Sequence, residues 1–181
     1  MKKIVYFLFL VSTSLLAQTK YITKTGTVNF EASVPSFEEV KASNNSVTAI
    51  INTENGEFAA LALIKGFRFK NALMEEHFNE NYAESDTYPK ATFKGKIADF
   101  NLSELKQEVL KKTISGELSF HGKTKKLENL TVHISKDDGS ISLSGSFKAL
   151  ASDFDIKIPK IVRNKIAEDI KVSFIFDLQT K

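Results

Sequence analysis

The sequence predicts an all-β fold, an eight-stranded antiparallel barrel with one short inserted helix near residues 71-83. Three observations predict it. Alternating apolar and polar residues recur in short runs almost to the C-terminus, the pattern of strands with one dry face. Prolines and turn-forming pairs separate those runs at short intervals. A single stretch leaves period two and takes helical spacing instead. Closure suits eight such strands better than a sandwich, because it removes both sheet edges.

Ahead of the strands, Met1-Lys2-Lys3 is a short basic start, Ile4 to Leu16 an apolar run, and Ala17 a small residue suited to cleavage. Residues 1-17 therefore read as an export signal, with 18-181 as the mature domain; Leu15, larger than the usual small residue three positions before the cut, leaves an uncleaved anchor open. The apolar run falls short of the roughly 20 residues that cross a bilayer as a helix. No cysteine follows it, so lipid attachment of the lipoprotein kind is unavailable.

Val28, Phe30 and Ala32 alternate with polar neighbours and mark the first strand, which ends at Pro35. Val47, Ala49 and Ile51 begin the second, and Asn55-Gly56 predicts a tight hairpin of type I′ into a third strand from Glu57 to about Phe69. From Asn71 to about Ala83, Leu73, Met74, Phe78 and Tyr82 form an apolar stripe, with Asn71 placed to cap the helix. Tyr88-Pro89 then forces extended backbone. Four more strands carry Phe93 to Ile97, Ile114 to Phe120, Leu130 to Ile134 and Ile141 to Phe147, with a turn at Lys136 to Gly139. Val172, Phe174, Phe176 and Leu178 close the series.

Eight strands is the size at which a barrel is either filled by its own side chains or hollow enough for one small ligand. Gly95, Gly116 and Gly145 share the phase of the inward apolar residues. They either leave space in the lumen or mark bends at barrel corners. Phenylalanine is abundant at 15 while tryptophan is absent. A lumen lined by Phe30, Phe93, Phe120, Phe147, Phe174 and Phe176 would accept an acyl or prenyl chain and reject a polar metabolite. The stripe of Met74, Phe78 and Tyr82 either covers one mouth of the barrel or seals an ordinary core.

Composition narrows the function. Removing residues 1-17 takes Lys2 and Lys3 from 25 basic residues and nothing from 22 acidic ones, leaving 23 against 22, or +1. Near neutrality argues against nucleic acid as a partner, and the Lys123, Lys125 and Lys126 cluster is too short and too poor in aromatics to reverse that. With no cysteine, thiol catalysis and thiolate metal sites are excluded. The chain carries no nucleophile elbow, phosphate loop, dinucleotide fingerprint or zinc helix. His77, His121 and His133 share no metal-binding spacing, and Asp137-Asp138-Gly139 lacks the alternating oxygen ligands of a calcium loop. The residues point to no enzyme, no metal and no cofactor, and His121 reads as a turn residue before a head-group contact.

Four stretches resemble the YceI-like family of periplasmic lipid-binding proteins. They are Leu73-Met74-Glu75-Glu76-His77-Phe78, Tyr88 to Gly95, Gly116 to Thr124, and Ala151-Ser152-Asp153-Phe154-Asp155-Ile156 with Ile158-Pro159 and Ile170-Lys171-Val172. Asp155 stands where relatives often have glycine. The resemblance implies a lipocalin-like barrel, periplasmic or secreted, whose lumen holds a polyisoprenoid, an isoprenoid quinone or a fatty-acyl lipid. Phe30, Phe93, Phe120 and Phe147 are the expected contacts for the tail, and Phe67, Met74, Phe78 and Phe154 those near the mouth. Transient membrane contact and a homodimer are compatible with this reading. The alternatives are a filled barrel acting as a protein-interaction module and, further off, a hydrolase or isomerase.

Overall fold

Nearly every inward position along the strand runs is apolar, so the sheet must wrap until that face is dry. In the computed structural model, which describes residues 20-35 and 37-180, it does so by closing on itself. The 1-17 segment read as a signal lies outside the described residues. Among the described residues there are nine strands: β1 (Lys20–Ser33), β2 (Lys41–Asn52), β3 (Glu57–Leu63), β4 (Arg68–Phe69), β5 (Lys90–Ile97), β6 (Leu110–Phe120), β7 (Lys123–Asp137), β8 (Ser140–Leu150) and β9 (Ile166–Thr180). All but the two-residue β4 form the wall, an eight-strand antiparallel barrel in the order β1-β9-β8-β7-β6-β5-β3-β2, closed by pairing of β1 with β2.

Three connections differ from the expected ones. The third strand does not run on to Phe69: it stops at Leu63, where the buried Asn44 amide donates to the Leu63 carbonyl at 2.9 Å, and a 3₁₀ turn at Ile64–Gly66 follows. The chain then re-pairs as β4 with the start of β2. The Asn55-Gly56 turn is wider than a two-residue hairpin, since the last β2–β3 pair is Ile51 with Phe58. Only Gly56 takes positive φ there, at 73°, and its amide donates to the Asn52 carbonyl.

The helix starts as the sequence predicts. The Asn71 side chain accepts from the Leu73 amide at 2.9 Å and α1 spans Ala72–His77. It then widens into a π turn over Phe78–Tyr82, where the Asn79 side chain donates to the Glu75 carbonyl at 2.8 Å and the Ala83 amide to the Phe78 carbonyl. Leu73, expected in the apolar stripe, points outward and is 55% exposed.

Strand direction divides the barrel into two ends. The connections at 53-56, 98-109 and 138-139 lie at one end; those at 34-40, 64-89, 121-122 and 151-165 lie at the other. The first end is solid. Ile51, Ile97, Val132, Ile134, Ile141 and Leu178 are fully buried there, and Phe100, Leu102 and Leu110 pack against the same core. The Lys136 amide donates to the Lys106 carbonyl at 2.8 Å, tying the 98-109 connection across the base.

A cup-shaped apolar site at the open end

Above that base the barrel is hollow. A cavity of about 540 Å³ opens at the end formed by the long connections, within the range of small-molecule sites. All eight residues expected at a ligand site, Phe30, Phe67, Met74, Phe78, Phe93, Phe120, Phe147 and Phe154, lie on its wall. Among the described residues, the polar side chains in its lining are those of Glu38, His77, Tyr82, Thr92 and Lys165. Glu38, His77 and Lys165 are exposed and sit on mouth connections. A long alkyl or prenyl chain loses nothing by leaving water for such a wall, whereas a polar molecule would lose hydration without recovering hydrogen bonds.

Of the two readings of the inward glycines, space in the lumen is the one they do not supply. A Cβ on Gly95 would meet the Phe93 ring at 2.8 Å, one on Gly116 would meet the same ring at 2.7 Å, and one on Gly145 would meet the Phe174 ring at 2.7 Å. Gly95 and Gly116 face each other across β5 and β6. These glycines therefore leave no void; each is a seat for an aromatic ring, the pairing by which a ring shields a bare strand backbone. The hollow comes instead from small inward side chains higher on the wall, Ala60 and Ala62 of β3, Ala91 of β5 and Ala149 of β8.

Aromatic rings fix the floor and one side of the mouth. Phe176, seated over Gly26, lies 5.5 Å from both Phe58 and Phe174, and Phe58 lies 6.3 Å from Phe93. At the mouth, Phe78 lies 5.2 Å from Phe30, 5.2 Å from Phe69 and 6.0 Å from Phe67. The helical segment is thus pinned by one ring, with Met74, His77 and Tyr82 beside it facing the cavity. It stands over a hollow and does not seal a filled core. Burial against this apolar surface raises the Tyr82 hydroxyl above its usual pKa.

On the opposite side the wall has a seam. β7 pairs with β8 only from Val132 to Asp137, so Lys123 to Thr131 pairs with β6 alone. The 3₁₀ turn Ala151–Phe154 folds back from the end of β8 across this gap. Three polar contacts hold it there. The His121 ring, through Nδ1, donates to the Phe154 carbonyl at 2.8 Å, Lys125 pairs with Asp153 at 2.7 Å, and Lys123 pairs with Asp155 at 2.6 Å. The Lys123 hydrogen bond holds Asp155 below the usual carboxylate pKa, and the same bond raises Lys123. His121 has φ of 48° in the tight β6–β7 turn and packs on Tyr88 at 4.5 Å, a structural role. Asp155 takes the left-handed conformation at φ 57°, a geometry glycine adopts freely and Asp tolerates better than most residues.

Reading the strand pattern missed Phe58, Phe69 and the 156-166 stretch of the wall. The strand read from Glu57 to about Phe69 assigns Phe69 no facing, and the turn at Ile64–Gly66 breaks the alternation that would have supplied one. Ile156, Ile158 and Val162 line the cavity from an irregular connection, which period-two patterning cannot detect. The three histidines stay apart: His77 at the mouth, His121 beneath the flap formed by the Ala151–Phe154 turn, and His133 exposed on β7. Among the described residues, no three His, Asp or Glu side chains form a group able to hold a metal ion.

A one-ended barrel with an apolar lumen and charges confined to its rim defines a class of β-barrel cup. The chain belongs to the YceI-like family, whose domain matches residues 20-178. Solved structures share the fold. A polyisoprenoid binding domain from Saccharophagus degradans implicated in plant cell wall breakdown superposes with a TM-score of 0.78 at 15% identity, covering 91% of this chain and 99% of its own. BcnA of Burkholderia cenocepacia gives 0.70 at 15% identity, over 86% and 96% of the two chains. The YCEI protein of Campylobacter jejuni gives 0.65 at 17% identity, over 82% and 89%. A search of curated proteins found no match.

Proposed function

We propose that this protein binds one long-chain amphiphile in its lumen, a polyisoprenoid, isoprenoid quinone or fatty-acyl lipid, and carries or sequesters it without altering it. The observation that supports this best is the cavity of about 540 Å³ with polar side chains gathered at its rim. Its aromatic and alanine walls offer a tail dispersion contacts along its length, while Glu38, His77 and Lys165 leave a head group in reach of water. The fold similarity to a polyisoprenoid binding domain agrees with this chemistry. With residues 1-17 removed as a signal, the carrier would work in the periplasm or outside the cell. A barrel filled by its own side chains, the rival reading, fits poorly with a hollow half.

The test is organic extraction of natively purified mature protein followed by mass spectrometry. One amphiphile per chain is expected. Repeated recovery of lipid-free protein that also refuses added prenyl and acyl lipids would end the carrier reading.

A further inference from the structure

The connection from β8 to β9 has two faces with different chemistry. Toward the lumen, Ile158 and Val162 line the cavity. Away from it, Ile161 in the turn Lys160–Val162 is 85% exposed, well above the other exposed large hydrophobic residues. Lys157, Lys160, Arg163 and Lys165 surround it in sequence and all are exposed. Among the described residues, none of these four forms an ion pair; Arg163 is instead oriented by donating from Nε to the Ile158 carbonyl at 3.1 Å. The two acids earlier in the connection, Asp153 and Asp155, are already neutralised by Lys125 and Lys123. Phe37 and Leu73, also exposed, lie on other connections of the same end.

An apolar tip among uncompensated cations matches a surface that is anionic outside and apolar just beneath. Such a surface is the interface of a bilayer containing acidic phospholipids, where an aliphatic side chain enters the acyl boundary and lysines meet phosphates. We propose that residues 157-165 form a membrane-docking loop that seats the open end of the barrel on an anionic bilayer. An acidic protein partner with an apolar pocket is the rival occupant, and failure to bind vesicles is the outcome that would favour it. This extends the carrier reading by naming where cargo is exchanged, and vesicle association is measurable whether or not cargo is bound.

The test is flotation of the mature protein with vesicles of phosphatidylcholine, and of phosphatidylcholine mixed with phosphatidylglycerol. Binding is expected to the anionic vesicles and to weaken with salt, as screening shortens the reach of the lysines. Lys157→Gln with Lys160→Gln should lower partitioning about thirtyfold, from roughly 1 kcal/mol per cation near the surface. Ile161→Ser should lower it about tenfold, from lost burial of one aliphatic side chain. Lys94→Gln with Lys96→Gln, the same charge change on the outer face of β5, should leave it within about twofold. Ile161→Trp supplies the one tryptophan in a chain that has none, and its emission should shift to the blue with anionic vesicles only. No vesicle binding, equal binding to neutral vesicles, or equal loss in the β5 control overturns the proposal. Lipid extracted from the same preparations reports separately on the carrier reading.

Discussion

Replacing Phe176 with alanine tests whether the aromatic floor measures tail length. The ring is 2% exposed, sits over Gly26 and bridges Phe58 and Phe174 at 5.5 Å each. Losing a buried Phe side chain costs about 3–5 kcal/mol, which for a domain of this size lowers Tm by roughly 6–20 °C. The vacated space adjoins the cavity, because Phe176 already forms part of its lining. For saturated fatty acids lengthened two carbons at a time, affinity should rise about fifteenfold per step, at about 0.8 kcal/mol per methylene. The rise should stop where the tail meets the rings. In the variant that plateau should shift by about three carbons, half the ring atoms removed, since the walls relax into part of the void. Isothermal titration across the series, beside thermal denaturation, reads both effects. A lower Tm with an unmoved plateau would refute the floor as the stop, and an affinity independent of length in the parent would refute tail burial in the lumen.

Three further outcomes follow from the site. Phe120→Glu places a carboxylate on the apolar wall, where the Phe120 ring lies 5.6 Å from that of Phe154; lipid retention should vanish and stability fall by a few kcal/mol, and a folded variant that still extracts with lipid contradicts the lining. His121→Ala removes the bond to the Phe154 carbonyl and should speed lipid release about fivefold to tenfold, from about 1–1.5 kcal/mol for one hydrogen bond; stopped-flow transfer to vesicles checks it, and an unchanged rate means the flap does not gate release. Asp155 has a lowered pKa through its Lys123 bond, so its contribution is present above the ordinary carboxylate pKa and lost as pH falls through the lowered one; hydrogen-exchange protection of residues 151-156, taken relative to the intrinsic rate at each pH, should fall over that acidic window in the parent and lose the dependence in Asp155→Asn.

The wall was legible because period two survives wherever a strand faces one dry side. Phe30, Phe93, Phe120 and Phe147 stand in runs where every second residue is apolar, so their direction needed no tertiary information. Phe69 lies past a break that depends on Asn44 reaching a carbonyl 19 residues away, and no local pattern signals that. The glycines show the same limit from the other side. Their inward phase was visible, but whether such a site holds space or a ring depends on which neighbour across the sheet carries phenylalanine, as with Phe93 beside Gly95 and Gly116. Asn55-Gly56 marked the right turn with the wrong width, because the Asn52 and Asn55 side chains cap nearby amides and hold a longer connection.

The division of the barrel explains how a chain without disulfides can afford a hollow. Its described termini and the 53-56 and 138-139 turns meet at the base, where six fully buried aliphatic side chains and the 98-109 connection hold the strands in register. Such packing is where substitutions are most costly. The open half keeps the wall but gives up its filling, so it must recover burial from something that is not part of the chain. A bound tail supplies that burial and stabilises by linkage. An empty lumen leaves Phe30, Phe93, Phe120 and Phe174 part-exposed, with the helix and the flap as the segments least tied to the base. The same unfilled apolar wall that makes the cup receptive ends at its rim, and the loop carrying Ile161 lies on that rim.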